Sequence, residues 1–374
     1  MRLGAALLFA ALSTGCTFAR IVRHGPSDID DYQVFESRPL PASSKPAHFV
    51  DRREPRPIPY RLRIKGLGRV GLDEFLEKTH TVAFLVVKGD ALYYQRYFRG
   101  YTPASKIQIF SVSKSVQSLL VGAALRDGKL QGIEAPITRW IPELSPRGFD
   151  AVRMEDLLQM ASGSSYVESD NPFGRHPALY YGEDMVPALL DLDLKEPPGT
   201  RFEYRSGDSE LVGLALSRAL APETITDYAR RSLWEPLGME YEGSWAVDHP
   251  GGLEKTFCCL SLRAIDLAKI GAMMASGGRW RGQQIIPEDW VLRSTTPTTD
   301  RGGASFYRLG WWVPPELEGG FMGIGHLGQY LIVLPRSQLV IVRLGDFGSE
   351  GMKQALIQIA LELERSLTKG KRLP

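Results

Sequence analysis

The chain has 374 residues, 43% hydrophobic and 24% charged, a balance ordinary for a folded enzyme of one large or two interleaved domains and unlike a disordered or fibrous protein. Its 45 basic and 43 acidic residues leave a net charge of +2, so no global field draws it to nucleic acid or anionic lipid, and a small-molecule partner is expected.

Residues 1–16 read as an export signal: Met1-Arg2 is a positive start, Leu3 to Leu12 an apolar run, and Ser13-Thr14-Gly15-Cys16 a small-residue end. The apolar run is shorter than the roughly 20 residues that a stable membrane span needs. Cys16 directly after Gly15 resembles a bacterial lipobox, in which the cysteine is lipidated and becomes the mature N-terminus, although Ser13 stands where leucine is usual. The expectation is an exported protein, anchored through Cys16 in the cell envelope or free in the periplasm. Residues 17–75, rich in Pro, Ser and Arg up to about position 60, suggest an extended arm between anchor and enzyme. Gly66-Leu67-Gly68-Arg69-Val70-Gly71 has the form of a dinucleotide fingerprint, but no βαβ pattern surrounds it, and a flexible entry to a surface helix at 72–78 fits better.

From Thr81 to Phe98 a run rich in Val, Phe and Tyr is broken by the turn pair Gly89-Asp90 and reads as a hairpin. A helix with an apolar stripe (Val116, Leu119, Leu120, Ala123) is predicted from about Ser111. Helical segments separated by Pro and Gly follow to about Leu292, with examples at 154–160, 209–220 and 262–274. Strand-like runs return at 307–313, 327–334 and 338–344, and a closing helix spans 351–367. Strands at both ends with helices between them imply an α/β (α+β) fold: a sheet domain from 76–130 and 300–374, holding a helical insertion at 131–299. Cys258 and Cys259 read as two small buried residues, since adjacent cysteines rarely meet the geometry of a bridge.

The chemistry begins at Ser111-Val112-Ser113-Lys114. A serine followed at i+3 by a lysine places both side chains on one helical face. A hydroxyl is a poor nucleophile until a neighbouring base takes its proton, and an amine one turn away can do so once its own proton affinity is lowered. The helix N-terminus adds partial positive charge, which disfavours a second cation and favours a developing oxyanion. A second proton-handling group must come from elsewhere, and Tyr204, on the loop after Pro197-Pro198-Gly199-Thr200, is the best candidate, because a phenol beside a cation ionises more easily. The third piece is Gly325-His326-Leu327-Gly328-Gln329 before the strand at 330–334, where the amides of Gln329 and Ser111 are expected to form an oxyanion hole. The six histidines are far apart in sequence and none shows ligand spacing, so no metal is expected at His326 or elsewhere.

Ser111-Val112-Ser113-Lys114, Tyr204-Arg205-Ser206 and His326-Leu327-Gly328 stand in the order of the three motifs of the serine beta-lactamase and penicillin-recognising superfamily, which the chain resembles from about Thr81 to the C-terminal helix. It looks most like the class C-related branch, which includes esterases and 6-aminohexanoate-dimer hydrolases. The resemblance implies a mostly antiparallel sheet flanked by helices, with an all-helical insertion and the site at their junction. It also implies acylation of Ser111, a proton shuttle shared by Lys114 and Tyr204, substrate contacts from Ser206, His326 and Gly328, and no cofactor. Two departures narrow the substrate: Ser206 stands where asparagine is frequent, and His326 where typical beta-lactamases have a lysine that holds the substrate carboxylate. Both favour an ester or small amide over a beta-lactam or a peptidoglycan stem peptide, which stay as alternatives beside an idle homologue that only binds. The loop Tyr166 to Asp184, with Glu168, Asp170, Tyr180 and Tyr181, is expected to rim the pocket.

Overall fold

A computed structural model describes residues 17–53, 61–64, 66, 68–349 and 351–369; the expected leader and Cys16 lie outside them. The run at 81–88 pairs with its neighbour across the Gly89-Asp90 turn, giving antiparallel strands β1 (Thr81–Lys88) and β2 (Ala91–Tyr97). Three further strands, β3 (Phe321–Gly325), β4 (Gln329–Leu334) and β5 (Leu339–Gly345), join them in an eight-stranded sheet. Its order is Tyr307–Arg308, Trp311–Trp312, β3, β4, β5, β1, β2, Val50–Asp51, antiparallel except for the last pair.

Alternation along β1 explains why nearly every residue in it is apolar. Phe84 and Val86, with Ile332 and Ile341, pack under the C-terminal helix (Met352–Lys369), which contributes Leu356, Ile359 and Leu363. Ala83, Leu85 and Val87 face the other way with Leu331, Val340 and Val342. They meet helix α1 (Val112–Arg126) through Leu119 and Leu120, and helix α3 (Ala264–Ala275) through Leu267 and Ile270, with α2 (Ser206–Leu220) beyond them in the insertion. Each fully buried Leu or Ile on these faces contributes roughly 1.5–3 kcal/mol.

Two expectations about organisation are corrected. The insertion is not all helical: Gly243–Ala246 and Leu260–Leu262 lie in a four-stranded antiparallel sheet between Ser37–Leu40 at one edge and Ile107–Gln108 at the other. Residues 17–53, read as an extended arm, are part of the body, with a helix at 17–24, Ile29 and Phe35 in the core, and the edge strand at 37–40. Proline masked that strand, but Pro39 is tolerated there because an edge strand leaves one side of its backbone unpaired. The glycine-rich stretch also differs from a flexible entry: Arg61–Ile64 and Gly68–Gly71 form an antiparallel hairpin before the helix Leu72–Lys78. It therefore lacks the parallel strand a dinucleotide site requires.

Candidate active site

The small sheet delivers the chain to Ser111. After Ile107–Gln108, the Ile109 amide donates to Leu260 O (2.9 Å) and the backbone turns sharply at Phe110, whose φ of +46° is left-handed. A non-glycine residue held there costs on the order of 1 kcal/mol. The turn is retained because the Phe110 ring packs between Tyr180 and His326. Ser111 is thereby the residue that caps α1, and its amide has no hydrogen-bond partner among the described residues, as a donor awaiting an oxyanion would.

Lys114, one turn into α1, is 2% exposed. Its ammonium donates to Ser111 Oγ (2.9 Å), Ser206 Oγ (3.1 Å) and the Phe257 carbonyl (2.8 Å), three acceptors for three N–H bonds. The Phe257 carbonyl is held from behind, since the Phe257 amide and the Thr256 hydroxyl both donate to Glu210 Oε2. Glu210 is fully buried, and that burial pushes its carboxyl up to about 8.

Ser206 opens α2 and connects Lys114 to an acid. While accepting from Lys114, its hydroxyl donates to Glu168 Oε1 (2.7 Å), and its backbone amide donates to Glu168 Oε2 (2.7 Å). A carboxylate on a helix-terminal N–H is a favourable charge-assisted contact. His176 Nδ1 lies 3.5 Å from Glu168 Oε1 and 2.8 Å from the Tyr166 hydroxyl, and burial lowers its proton affinity.

Tyr204 reaches the same lysine, but by its ring: Lys114 Nζ sits 5.0 Å from the ring centroid, a cation–π contact, and Trp312 stacks on the ring at 5.7 Å. No hydrogen bond joins its hydroxyl to Ser111 or Lys114 among the described residues. The neighbouring Arg205 is buried and pairs with Glu203 (2.7 Å) and Glu196 (3.6 Å).

The third motif is a tight turn between β3 and β4. His326 faces Ser111 across the cavity, its ring edge-on to Phe110 and its proton affinity lowered by burial, although its outer edge is open to solvent. Gly328 and Gln329 do not line the cavity. The Gln329 side chain turns inward, donating to His326 O (3.0 Å) and Gly345 O (2.7 Å). Arg343, fully buried in β5, grips the turn by donating to the carbonyls of Leu327 and Gly328, and is fixed by Thr81 and Thr79. Gly325 lets β3 approach this region closely: a Cβ there would fall 2.4 Å from Ile109 O, two residues before Ser111.

Part of this set lines a cavity of about 690 Å³, namely Ser111, Ser206, Glu168 and His326, joined by Asp170 and, on its aromatic side, Tyr180 and Tyr181; Lys114 and Tyr204 are not among its lining residues. The rim loop expected at 166–184 is there, and it is joined by Ile21, Pro26 and Ser27 of the N-terminal segment. Cys258, also at the wall, is bonded to Cys259, which corrects the reading of two unbridged cysteines. Adjacent side chains in an extended strand point apart, but Cys259 has a φ of +70°, which folds the two sulfurs to one side. The sequence reading missed the part played by Glu168, the Phe257 carbonyl, Glu210 and Arg343. Only Arg343 carries a local signal, as a lone charge inside the apolar run 339–344.

The chain matches the Beta-lactamase family over residues 72–351. It is 28% identical over 330 residues to the 6-aminohexanoate-dimer hydrolase of Paenarthrobacter ureafaciens, covering 81% of this chain and 82% of the relative. A solved structure from Bacillus anthracis, provisionally named a 6-aminohexanoate-dimer hydrolase, superposes with a TM-score of 0.78 at 20% identity, over 92% of this chain and 94% of that one. A family VIII carboxylesterase superposes with a TM-score of 0.58 at 16% identity, over 78% and 94%. At these identities the two structures are likenesses of fold. With the family match spanning 280 of 374 positions (72 through 351), this chain belongs to the Beta-lactamase family and is a serine hydrolase of that type.

Proposed function

We propose that the enzyme cleaves an ester or a small amide through an acyl-enzyme on Ser111. The observation that carries this reading is the 2.9 Å hydrogen bond between Lys114 Nζ and Ser111 Oγ at the wall of a cavity large enough for a small substrate. Lys114 takes the Ser111 proton as Oγ bonds the carbonyl carbon, the Ser111 amide donates to the oxyanion, and Lys114 and Tyr204 share delivery of the proton to the leaving group. Water then releases the acyl group by the same steps reversed.

The cavity's chemistry supports the choice of substrate. Neither arginine nor lysine is among its described lining residues, Lys114 lying behind Ser111 and Ser206, and its two histidines have lowered proton affinity. A substrate carboxylate, as on a beta-lactam, meets no cationic side chain among those described lining residues. Glu168 and Asp170 instead suit a neutral acyl compound or one bearing an amine, the chemistry in the name of the Paenarthrobacter relative. A fluorophosphonate probe is expected to label the wild type and not Ser111→Ala; a folded wild type left unlabelled would support the idle, binding-only alternative. Hydrolysis of a chromogenic cephalosporin faster than of nitrophenyl esters would support the lactam reading.

The same reading includes export and anchoring through Cys16, supported by the character of residues 1–16. The helix at 17–24 packs on the enzyme and Ile21 lines the cavity, so such an anchor holds the cavity mouth near the bilayer. Incorporation of labelled palmitate into the expressed full chain, absent in Cys16→Ser, is the expected result.

A further inference from the structure

We propose that Glu168 holds the proton of Lys114, by way of Ser206, during the moments when the amine acts as base. The inference rests on the acyl-enzyme reading above and on one geometric fact: the hydrogen bonds from Ser111 Oγ to Lys114 Nζ to Ser206 Oγ to Glu168 Oε1 are 2.9, 3.1 and 2.7 Å, an unbroken chain that ends on a carboxylate at the cavity wall.

The chain addresses a difficulty in the site as it stands. In its charged form Lys114 spends all three N–H bonds on acceptors, and an ammonium takes no proton from Ser111. One of its protons must first leave, and of its three partners only the Ser206 hydroxyl both accepts and passes a proton on. The Phe257 carbonyl does not relay, and Ser111 is the group to be deprotonated. The step balances as follows. Lys114 gives a proton to Ser206 Oγ while Ser206 gives its own to Glu168 Oε1. The neutral amine then takes the Ser111 proton as Oγ bonds the carbonyl carbon and the carbonyl electrons move to oxygen. When the intermediate collapses, the bond to the leaving oxygen or nitrogen breaks, and that atom takes a proton from the Lys114 ammonium. The proton lent to Glu168 returns through Ser206 to Lys114. The leaving group therefore departs with the proton that began on Ser111, and Glu168 ends as a carboxylate.

Glu168 also caps α2 through the Ser206 amide, so the test must separate relay from cap. Wild type, Glu168→Gln, Glu168→Asp, Ser206→Ala and the double variant Ser206→Ala/Glu168→Gln are compared in the full chain on 4-nitrophenyl butyrate and ethyl butyrate. The nitrophenolate leaves without a proton, whereas ethoxide needs one. Because Ser111 must lose its proton on either ester while the leaving group is served by Lys114, Glu168→Gln is expected to lower kcat/KM roughly 100-fold on both, the scale of a positioned acid–base group. Glu168→Asp should recover part of it, and the double variant should be no worse than the poorer single one, as expected of residues acting in one chain. A loss confined to the ethyl ester, which would put Glu168 in leaving-group protonation instead, losses that multiply in the double variant, no recovery in Glu168→Asp, or unchanged kcat/KM would each overturn the relay. If Glu168→Gln does not fold, Ser206→Ala, which keeps the Ser206 amide for the cap, carries the same two-ester comparison. Failure of the wild type to label with fluorophosphonate sinks the acyl-enzyme reading instead, so the two failures are distinguishable.

Discussion

Replacing Glu210 by glutamine should change how stability responds to pH, by an amount the structure lets us work out. Its carboxyl is buried and makes no ion pair among the described residues; Oε2 accepts from Phe257 N (3.1 Å) and Thr256 Oγ1 (2.9 Å), and Oε1 has no hydrogen-bond partner among them. Burial raises it from an ordinary 4.5 to about 8. At 1.36 kcal/mol for each tenfold change in acidity, that is roughly 5 kcal/mol between its limiting forms, an upper bound for a group whose surroundings can relax. The sign follows from proton counting: between pH 4.5 and 8 the folded chain binds a proton here that the unfolded chain has lost. The stabilisation is complete below about pH 4.5 and is lost as pH rises through 8. Glu210→Gln keeps an oxygen for both donors and does not titrate. Its unpaired NH2 adds a pH-independent cost of about 1–3 kcal/mol. Asp208, raised to about 7, titrates in both proteins, whereas Lys255, lowered to about 7 by burial, feels the Glu210 charge, so the difference between the curves reports Glu210 together with its effect on Lys255. Urea unfolding at pH 5 through 9 should show the variant weaker than wild type at pH 5 and overtaking it by pH 9. Parallel stability curves would refute the assignment of a raised, buried carboxyl.

Three further outcomes follow from particular contacts. Lys114→Ala and Tyr204→Phe should each lower turnover roughly 100-fold or more in steady-state ester assays, and a near-normal Tyr204→Phe would leave the ring's contact with Lys114 as that residue's only role. Gly325→Ala pushes a Cβ to 2.4 Å from Ile109 O and 3.0 Å from Gln329 Cβ, where overpacking costs about 1–3 kcal/mol. Because the backbone that must yield leads into Ser111, ester turnover should fall along with the melting temperature; full activity at a lower melting point would mean the strand shifts without moving the serine. Arg343→Met strands the carbonyls of Thr79, Leu327 and Gly328, so urea unfolding should show a loss of about 3 kcal/mol. A variant as stable as wild type would show that the turn does not depend on its arginine clamp.

What the sequence alone determined is what depends on near neighbours along the chain. The i+3 spacing of Ser111 and Lys114, the hairpin about Gly89-Asp90, and the apolar stripe of the last helix are set by backbone periodicity, and each lies within a few residues of its expected place. The order of the three motifs named the family for the same reason, since each motif is contiguous.

What tertiary structure decided is which distant groups complete the site. Glu168 meets Ser206 from 38 positions away, Phe257 meets Lys114 from 143, and Arg343 reaches Thr81 from 262. No local pattern encodes such pairings, because loop closure costs nearly the same for many partners and burial selects among them. The Pro-rich N-terminal segment looked like a linker because its strand is short and lies at a sheet edge, where proline is allowed. Motif order puts Tyr204 at the site, but its orientation is tertiary: its ring packs against Trp312 and Tyr307 and lies under the Lys114 ammonium.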